Sequence, residues 1–166
     1  MGVEEQVTTP PSVRRVTEAL ANLGIAAEIV EFAQSTRTAE EAAQAIGTTV
    51  ERIVKSLVFT AGDEMLLVLT SGGNRVDTDR LGKAIGARIR RADAAAVRQA
   101  TGFAIGGVPP VGHTSTLPVV LDRDLLQYEL VFAAAGTPHA IFPITPADLC
   151  RITAARILDV KVHAEA

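Results

Sequence analysis

Apolar residues recur along the chain with two periods, and these periods predict where the helices and strands lie. Val16 and Leu20 share one face at helical spacing, so residues 13–23 are predicted to form a helix. Ser12 is the predicted cap of this helix. Capping residues followed by amphipathic stretches predict four further helices: over residues 38–46, 77–85 and 93–100, and from Thr145 onwards.

Short runs rich in Val, Ile, Leu and Phe predict the strands. Residues 53–59 and 65–70 flank the turn signal Gly62-Asp63, so they are predicted to pair as a hairpin. Six further strands are predicted over residues 25–32, 87–90, 117–121, 130–134, 139–144 and 157–160. Because strands neither alternate strictly with helices nor form hairpins throughout, the order favours an α+β fold with a mixed, largely antiparallel sheet and flanking helices.

The chain is predicted to be a single domain with a short lead. Residues 1–11 are polar and end in two prolines, so they are predicted to be a disordered N-terminal lead. Residues 12–166 are long enough to form one domain with a sizeable core. No internal repeat or low-complexity segment divides them.

Composition and charge narrow the possible functions. The chain is 48% hydrophobic but only 4% aromatic, and its net charge of −3 argues against a general polyanion binder. The single cysteine excludes an internal disulfide, and no Cys/His spacing resembles a zinc site, so no metal and no cofactor are expected. No apolar run approaches the length of a membrane span and the N-terminus is unlike a secretory signal, so a cytoplasmic protein without membrane contact is expected.

The stretch TGFAIGGVPPVGH, residues 101–113, is the most unusual segment of the chain. Glycine allows a ligand to approach main chain closely, and proline holds the backbone in one shape. The amide groups of Gly106 and Gly107 are therefore candidates for holding a carbonyl oxygen. The stretch is equally consistent with a tight connection between strands.

Lys55 is a cation inside an otherwise apolar predicted strand. Burying an ammonium group is costly unless an anionic group pairs with it. Lys55 therefore either reaches solvent at a strand edge or lines a pocket. Ser56 is expected to point to the opposite face, so that the two side chains could not line one pocket without a bulge.

Other polar residues leave their alternatives open. His113 and His139 follow glycine turns, where a histidine is more often structural than catalytic. Six basic residues fall within residues 75–91 and form either a solvated face or a rim for phosphate groups. No strong nucleophile is evident, so the residues alone do not name a reaction.

Four segments resemble the YbaK/prolyl-tRNA-synthetase-associated domain family: IVKSLVF, SGGNRVD, TGFAIGGVPPVGH and AAAGTPHAIFPITPADL. The resemblance implies a mixed sheet with flanking helices and a trans-editing activity. The implied reaction is hydrolysis of the ester that joins a wrong amino acid, cysteine or alanine, to proline tRNA. Mischarged tRNA is then the implied partner, with prolyl-tRNA synthetase as a second one.

The resemblance also assigns roles to residues of this chain. It implies that Lys55 and the amides of Gly106 and Gly107 are catalytic, with water or the free ribose hydroxyl as the attacking group. It places the following residues in the substrate-binding wall: Thr36, Thr38, Ser56, Ile105, Val108, Pro109, Gly112, His113, Gly136 and His139.

Two departures leave the amino acid open. The cysteine-removing type resembles Ser-Gly-Gly where this chain has Ala134-Ala135-Gly136, and the alanine-removing type tends to carry Asn where this chain has Ser56. Two other functions remain as alternatives: a non-catalytic module that binds an aminoacyl-adenylate or a tRNA end together with a synthetase, and an esterase of small metabolites.

Overall fold

The computed structural model describes residues 9–34, 36 and 38–163. Most of the predicted disordered lead lies outside these residues, and the first helix already begins at Pro11. The described helices are α1 (Pro11–Asn22), α2 (Ala39–Ile46), α3 (Thr78–Ile85), α4 (Ala94–Thr101) and α5 (Pro146–Thr153). None of these helices is long and apolar enough to cross a lipid bilayer.

The strands form one mixed sheet. They are β1 (Val30–Glu31), β2 (Ile53–Ala61), β3 (Glu64–Ser71), β4 (Ile89–Arg91), β5 (Val119–Asp122), β6 (Val131–Ala134), β7 (Ala140–Ile144) and β8 (Arg156–Leu158). The order along the sheet is β1-β7-β6-β2-β3-β5-β8, and β4 pairs with β2 beside this path. Most paired residues belong to antiparallel ladders, so the predicted α+β fold is confirmed.

Strand β2 organises the sheet because three other strands pair with it. Along one edge it forms the predicted hairpin with β3, in continuous register from Val54–Ser71 to Ala61–Glu64. Along its other edge it pairs in parallel with β6 at residues 53–54 and antiparallel with β4 at residues 59–61. Residues 55–58 lie between these two partners and pair with neither. This leaves a gap along one edge of β2, within the sheet.

Helices cover both faces of the sheet, and β3 shows how the core divides. Leu67 and Leu69 pack in the larger core, which includes Leu20 of α1. Leu66 and Val68 point the other way and pack with residues around α3. Because successive strand residues face opposite sides, an unbroken apolar run fits a strand that is buried on both faces.

Local signals predicted most helix starts correctly. The side chains of Thr38, Asp77, Asp93 and Thr145 each accept a hydrogen bond from the main-chain amide three residues further on. The prediction that Ser12 caps the first helix is wrong. The cap position of α1 is Pro10, which makes no side-chain hydrogen bond, and Pro11 occupies the first helical turn, where a missing amide costs little.

The predicted strand over residues 25–32 is wrong for most of its length. Only Val30 and Glu31 pair with a neighbour, namely β7. Ile25, Ala27 and Ile29 still pack against the larger core at every second position. The alternating pattern therefore indicated correctly which side chains face the core. It did not establish a strand, because a strand also needs a hydrogen-bonded partner.

We predict that Gly136→Ala destabilises the protein more than Gly24→Ala. Both glycines have a positive φ, +104° and +82°, which costs an alanine about 1–2 kcal/mol. A Cβ on Gly136 would also lie 2.7 Å from the carbonyl oxygen of Ser12, whereas nothing lies within 4 Å of one on Gly24. The extra loss is expected to be about 1–3 kcal/mol, the usual cost of overpacking. Urea unfolding measures both values, and equal losses would contradict the close contact between Gly136 and α1.

Candidate functional site

A cavity of about 370 Å³ opens at the gap in the edge of β2. Its walls come from the start of α2, the middle of β2, the loop over residues 105–108 and the hairpin formed by β6 and β7. This volume lies in the range of small-molecule sites. The predicted site residues that line it are Thr36, Thr38, Lys55, Ser56, Ile105, Gly106 and Val108.

Lys55 and Ser56 both line this cavity, although a regular strand turns their side chains to opposite faces. The expectation that they could not share a pocket without a bulge is therefore wrong, since the β2–β3 register is continuous. The cavity lies at the strand edge rather than on one face. Ala92 N–H donates to the Val58 carbonyl at 3.2 Å, so the main-chain groups of Val58 point to the edge of β2 that carries β4. Because every second residue of a strand directs its main-chain groups to the same edge, those of Ser56 point into the gap.

The two polar parts of Ser56 are thus separated. Its main chain faces the gap between β6 and β4, while its hydroxyl oxygen Oγ is buried. Among the described residues this oxygen has no hydrogen-bond partner. The polar group that Ser56 presents to the cavity is consequently its peptide unit rather than its hydroxyl.

Lys55 is half-buried and its ammonium group is held at one point. Nζ donates a hydrogen bond of 2.6 Å to the main-chain oxygen of Asn74. Burial lowers the pKa of Lys55, and the positive charge of Arg91 adds to this effect, whereas the carboxylates of Glu40 and Asp122 oppose it. An ammonium has three N–H donors, so two remain for a ligand.

In the glycine loop, residues 101–113, the amide of Gly106 is more open than the amide of Gly107. The Gly107 N–H donates to the Ala104 carbonyl at 3.1 Å and so closes a tight turn with Ile105 and Gly106 at its centre. The φ of Gly106 is +94°, a conformation that favours glycine. The Gly106 N–H has no hydrogen-bond partner among the described residues and is the freer donor of the pair.

Gly107 does not line the cavity and has a packing role. A Cβ at this position would lie 2.7 Å from the Cα of Thr137 in the turn between β6 and β7. The absent side chain lets the two loops touch through their main chains, and Thr137 itself lines the cavity. Gly107 thereby brings the wall formed by the β6–β7 turn close to Gly106.

The C-terminal part of the glycine loop supports the cavity from outside. Pro109, Gly112 and His113 are not among its lining residues. His113 Nε2 forms a hydrogen bond of 2.7 Å with the Pro109 carbonyl. Arg15 of α1 donates to the carbonyls of Gly102 and Gly112 at 3.4 and 3.3 Å, which ties this segment to the first helix.

The remaining predicted residues lie around the β6–β7 turn. Thr36 donates from both its amide and its hydroxyl to the Pro138 carbonyl, at 2.8 and 3.0 Å. This contact fixes the segment before α2 against the turn. Gly136 packs under α1 and His139 is exposed, and neither lines the cavity.

Two charged residues of the cavity, Glu40 and Arg91, were not among the predicted site residues, although Arg91 belongs to the basic run that was considered as a phosphate rim. Glu40 lies two residues after the helix cap Thr38, and Arg91 ends β4 beside the gap. Arg91 belongs to the basic run over residues 75–91, while Lys83, Arg88 and Arg90 line a separate surface cleft. Nothing local in the sequence distinguishes Arg91 from its basic neighbours, because only the pairing of β4 with β2 brings it to Lys55.

The described residues contain no group of three His, Cys, Asp or Glu side chains that could hold a metal ion. Within this part of the chain the polar groups that face the cavity are two cations, one carboxylate, hydroxyls and main-chain amides. These groups can bind an anion and a carbonyl oxygen, and they leave the attacking group to the substrate or to water.

Comparison with known proteins identifies relatives of the chain. The model of the aminoacyl-tRNA editing domain matches residues 33–152. "Uncharacterized protein YwhH" of Bacillus subtilis (strain 168) is 32% identical over 131 residues, which cover 78% of this chain and 83% of YwhH. A protein of Enterococcus faecalis (strain ATCC 700802 / V583) named "Putative Cys-tRNA(Pro)/Cys-tRNA(Cys) deacylase EbsC" is 29% identical over 127 residues, 70% of this chain and 77% of EbsC.

A solved structure extends the similarity over nearly the whole chain. It is described as the "Crystal structure of a putative trans-editing enzyme for prolyl tRNA synthetase". It superposes with a TM-score of 0.90 at 49% identity and covers 94% of this chain and all of the other.

We predict that His113 makes the folded state sensitive to acid. Burial lowers the pKa of this imidazole, with a smaller contribution from Arg15, while the hydrogen bond to Pro109 opposes the shift. The unfolded chain therefore takes up the proton at a higher pH than the folded protein, and stability is lost as pH falls below about 6.5.

The measurement is the free energy of unfolding in urea between about pH 7.5 and about pH 5.5. His113→Gln is expected to flatten the decline relative to wild type, because glutamine can donate to Pro109 without titrating. Equal slopes for the two proteins would contradict a buried, neutral His113.

Proposed function

Because the chain belongs to the aminoacyl-tRNA editing domain family, we propose that it is a trans-editing hydrolase acting on mischarged proline tRNA. Its substrate is the ester between the terminal ribose and a small, wrong amino acid, alanine or cysteine. The observation that carries the proposal is that Lys55 and the free amide of Gly106 line one cavity. The similarity to EbsC and to the trans-editing structure supports the same reaction.

The reaction needs no protein nucleophile because an aminoacyl ester is already reactive. A water oxygen attacks the carbonyl carbon, and the carbonyl oxygen takes up negative charge. The Gly106 amide donates to this oxygen, with the Ser56 amide as a second donor, and one such donor contributes about 3–4 kcal/mol. The bond to the ribose oxygen then breaks, and the proton lost by the water is carried to that oxygen.

Lys55 holds the nucleotide end of the substrate. Its two remaining N–H groups and the guanidinium of Arg91 line the cavity, and both carry the charge that attracts a phosphate. Together they place the terminal ribose so that its ester lies beside Gly106. The negative net charge of the whole chain makes such a local pair of cations necessary for binding tRNA.

The wall between α2 and the β6–β7 hairpin suits a short side chain. Bulky apolar side chains of Ile53, Phe132 and Ile141 limit its room, and Ala39, Ala42, Ala134 and Ala140 add only methyl groups. The hydroxyls of Thr36 and Thr38 already make hydrogen bonds within the protein. Each additional methylene discriminates by about 1–3 kcal/mol, which favours alanine and cysteine over larger residues.

Glu40 is the partner that we propose for the α-ammonium group of the amino acid. It contributes the only carboxylate among the described lining residues. Every aminoacyl ester with a free amine brings a positive charge into the cavity next to its carbonyl carbon. A carboxylate in the same cavity as Lys55 and Arg91 would orient the ester by attracting its amine.

We predict that purified protein releases alanine or cysteine from mischarged proline tRNA and that Lys55→Ala removes this activity. Loss of the cation that positions the ribose is expected to lower kcat/KM at least about a hundredfold, the size of effect that misplacement of a reacting group produces. Release of labelled amino acid from a panel of mischarged tRNAs measures it.

The control for Lys55→Ala is Arg151→Ala, which removes an equally sized positive charge from the exposed end of α5 and should retain activity. Full activity of folded Lys55→Ala would refute the role of the lysine. Saturable binding of the panel without turnover on any member would favour a non-catalytic module, and turnover of free amino-acid esters would favour a small-molecule esterase.

We predict that Glu40→Gln affects aminoacyl esters but not hydroxyacyl esters. Alanyl-tRNA carries an ammonium group where lactyl-tRNA carries a neutral hydroxyl. Loss of an exposed ion pair is expected to lower kcat/KM for alanyl-tRNA about threefold to tenfold and to leave lactyl-tRNA unchanged. The ratio of the two rates is the measured quantity.

A matched control for Glu40→Gln lies one residue further along the same helix. Glu41→Gln removes the same charge from a side chain outside the cavity, and glutamine is accepted at this position of a capping box. An equal change in the ratio for both variants, or no change for Glu40→Gln, would contradict the assignment.

A further inference from the structure

The turn that follows β3 holds the ammonium group of Lys55. Residues Ser71 to Asn74 form this turn, and the Asn74 N–H donates to the Ser71 carbonyl at 2.9 Å. The Asn74 carbonyl accepts the hydrogen bond of 2.6 Å from Lys55 Nζ. Among the described residues this is the only hydrogen bond that the ammonium makes. The position of the Asn74 carbonyl therefore determines the position of Lys55 Nζ.

The side chain of Asn74 fixes that carbonyl from behind. Its Nδ2 donates to Asp122 Oδ2 at 2.8 Å and to Asp124 Oδ2 at 2.9 Å. An amide nitrogen has two protons, so both are used. The two aspartates lie at the end of β5 and in the short 3-10 turn after it, and they connect the Lys55 turn to a strand on the far side of β3.

The carboxylates are themselves held in place. Asp122 is 1% exposed, and its oxygens also accept the amides of Ser71 and Asp124, both at 3.0 Å. Asp124 additionally accepts a hydrogen bond of 2.9 Å from Lys161. Such hydrogen bonds to a charged acceptor are short and strong, and together they restrain a network that is fully buried at Asp122 and half-buried at Asn74 and Asp124.

The turn has little room to shift. A Cβ on Gly72 would lie 2.4 Å from the Val50 carbonyl oxygen, and Gly72 also lines the cavity. The Ser71 hydroxyl donates to the Glu51 carbonyl at 2.6 Å. These contacts hold the turn against the short 3-10 turn over residues 50–52, which leads directly into β2.

We propose that Asn74 is a positioning residue for the deacylation reaction: its side chain, fixed by Asp122 and Asp124, sets the carbonyl that aims Lys55 Nζ into the cavity. This inference rests on the proposed function of Lys55. Asn74 acts through Lys55 and touches no substrate, so its removal should impair the chemical step without abolishing the binding of tRNA.

The first experiment measures the kinetics of Asn74→Ala on mischarged proline tRNA. The main-chain carbonyl remains in this variant but loses its support. We expect kcat to fall about tenfold to a hundredfold, as for a reacting group that is misplaced by about 1 Å, while KM changes less than about threefold. Asp124→Asn, which keeps an acceptor oxygen for Asn74, should retain most of the kcat that Asp124→Ala loses.

A double mutant separates positioning from general destabilisation. If Asn74 acts through Lys55, adding Asn74→Ala to Lys55→Gln lowers the residual rate no further. Multiplicative losses would overturn the proposal. The control is Asp159→Ala, which removes a carboxylate that contacts Arg80, Arg123 and His163 on the surface; it should lower stability but leave kcat unchanged.

A second readout does not depend on activity. The chain has three lysines, Lys55, Lys83 and Lys161, so reductive methylation with a carbon-13 label gives one signal for each of them beside that of the N-terminal amine. The Asn74→Ala substitution should move the Lys55 signal and speed its labelling, with the exposed Lys83 as an unchanged reference. An unmoved Lys55 signal would refute the positioning role, whereas a moved signal in a protein that deacylates nothing would refute the proposed function alone.

Discussion

The candidate site depends on one constraint of the sheet: two strands share a single edge of β2 and do not meet. β6 pairs with residues 53–54 and β4 with residues 59–61, so the main-chain groups of Ser56 keep an open edge between the two strands. Unpaired main-chain groups at a buried edge would be costly unless a ligand or water satisfies them. The gap is therefore both the geometric origin of the cavity and a chemical reason for a ligand to occupy it.

The loops that close this gap need glycine where they approach each other. The turn at Gly106 and the turn after β6 must approach closely enough to close the cavity, and a Cβ on Gly107 would collide with Thr137. α1 packs against the turn after β6 at Gly136, and its Arg15 donates hydrogen bonds to the glycine loop. The first helix thus supports the site, although it contributes no lining residue to it.

The sequence predicted features that depend on near neighbours and missed those that depend on distant ones. The cap at Thr38 and the hairpin turn at Gly62-Asp63 are local, and both were predicted correctly. The strand over residues 25–32 was not, because burial of alternate side chains does not supply a pairing partner. Lys55 and Gly106 were recognisable as unusual residues. Arg91 reaches them through the pairing of β4 with β2 and Glu40 through the packing of α2 against β2, and no local pattern contains either contact.

A lysine held by a neutral group is well suited to a phosphate ligand. Had a carboxylate been the hydrogen-bond partner of Lys55, it would have stabilised the buried ammonium but also repelled the anion that the ammonium must attract. The partner is instead the Asn74 carbonyl, and the carboxylates of Asp122 and Asp124 lie one hydrogen bond further back. Because Coulomb interactions weaken with distance, the network supports the charge of Lys55 while Asp122 and Asp124 stay away from the place where the phosphate would bind, and Glu40 is left as the carboxylate of the cavity wall.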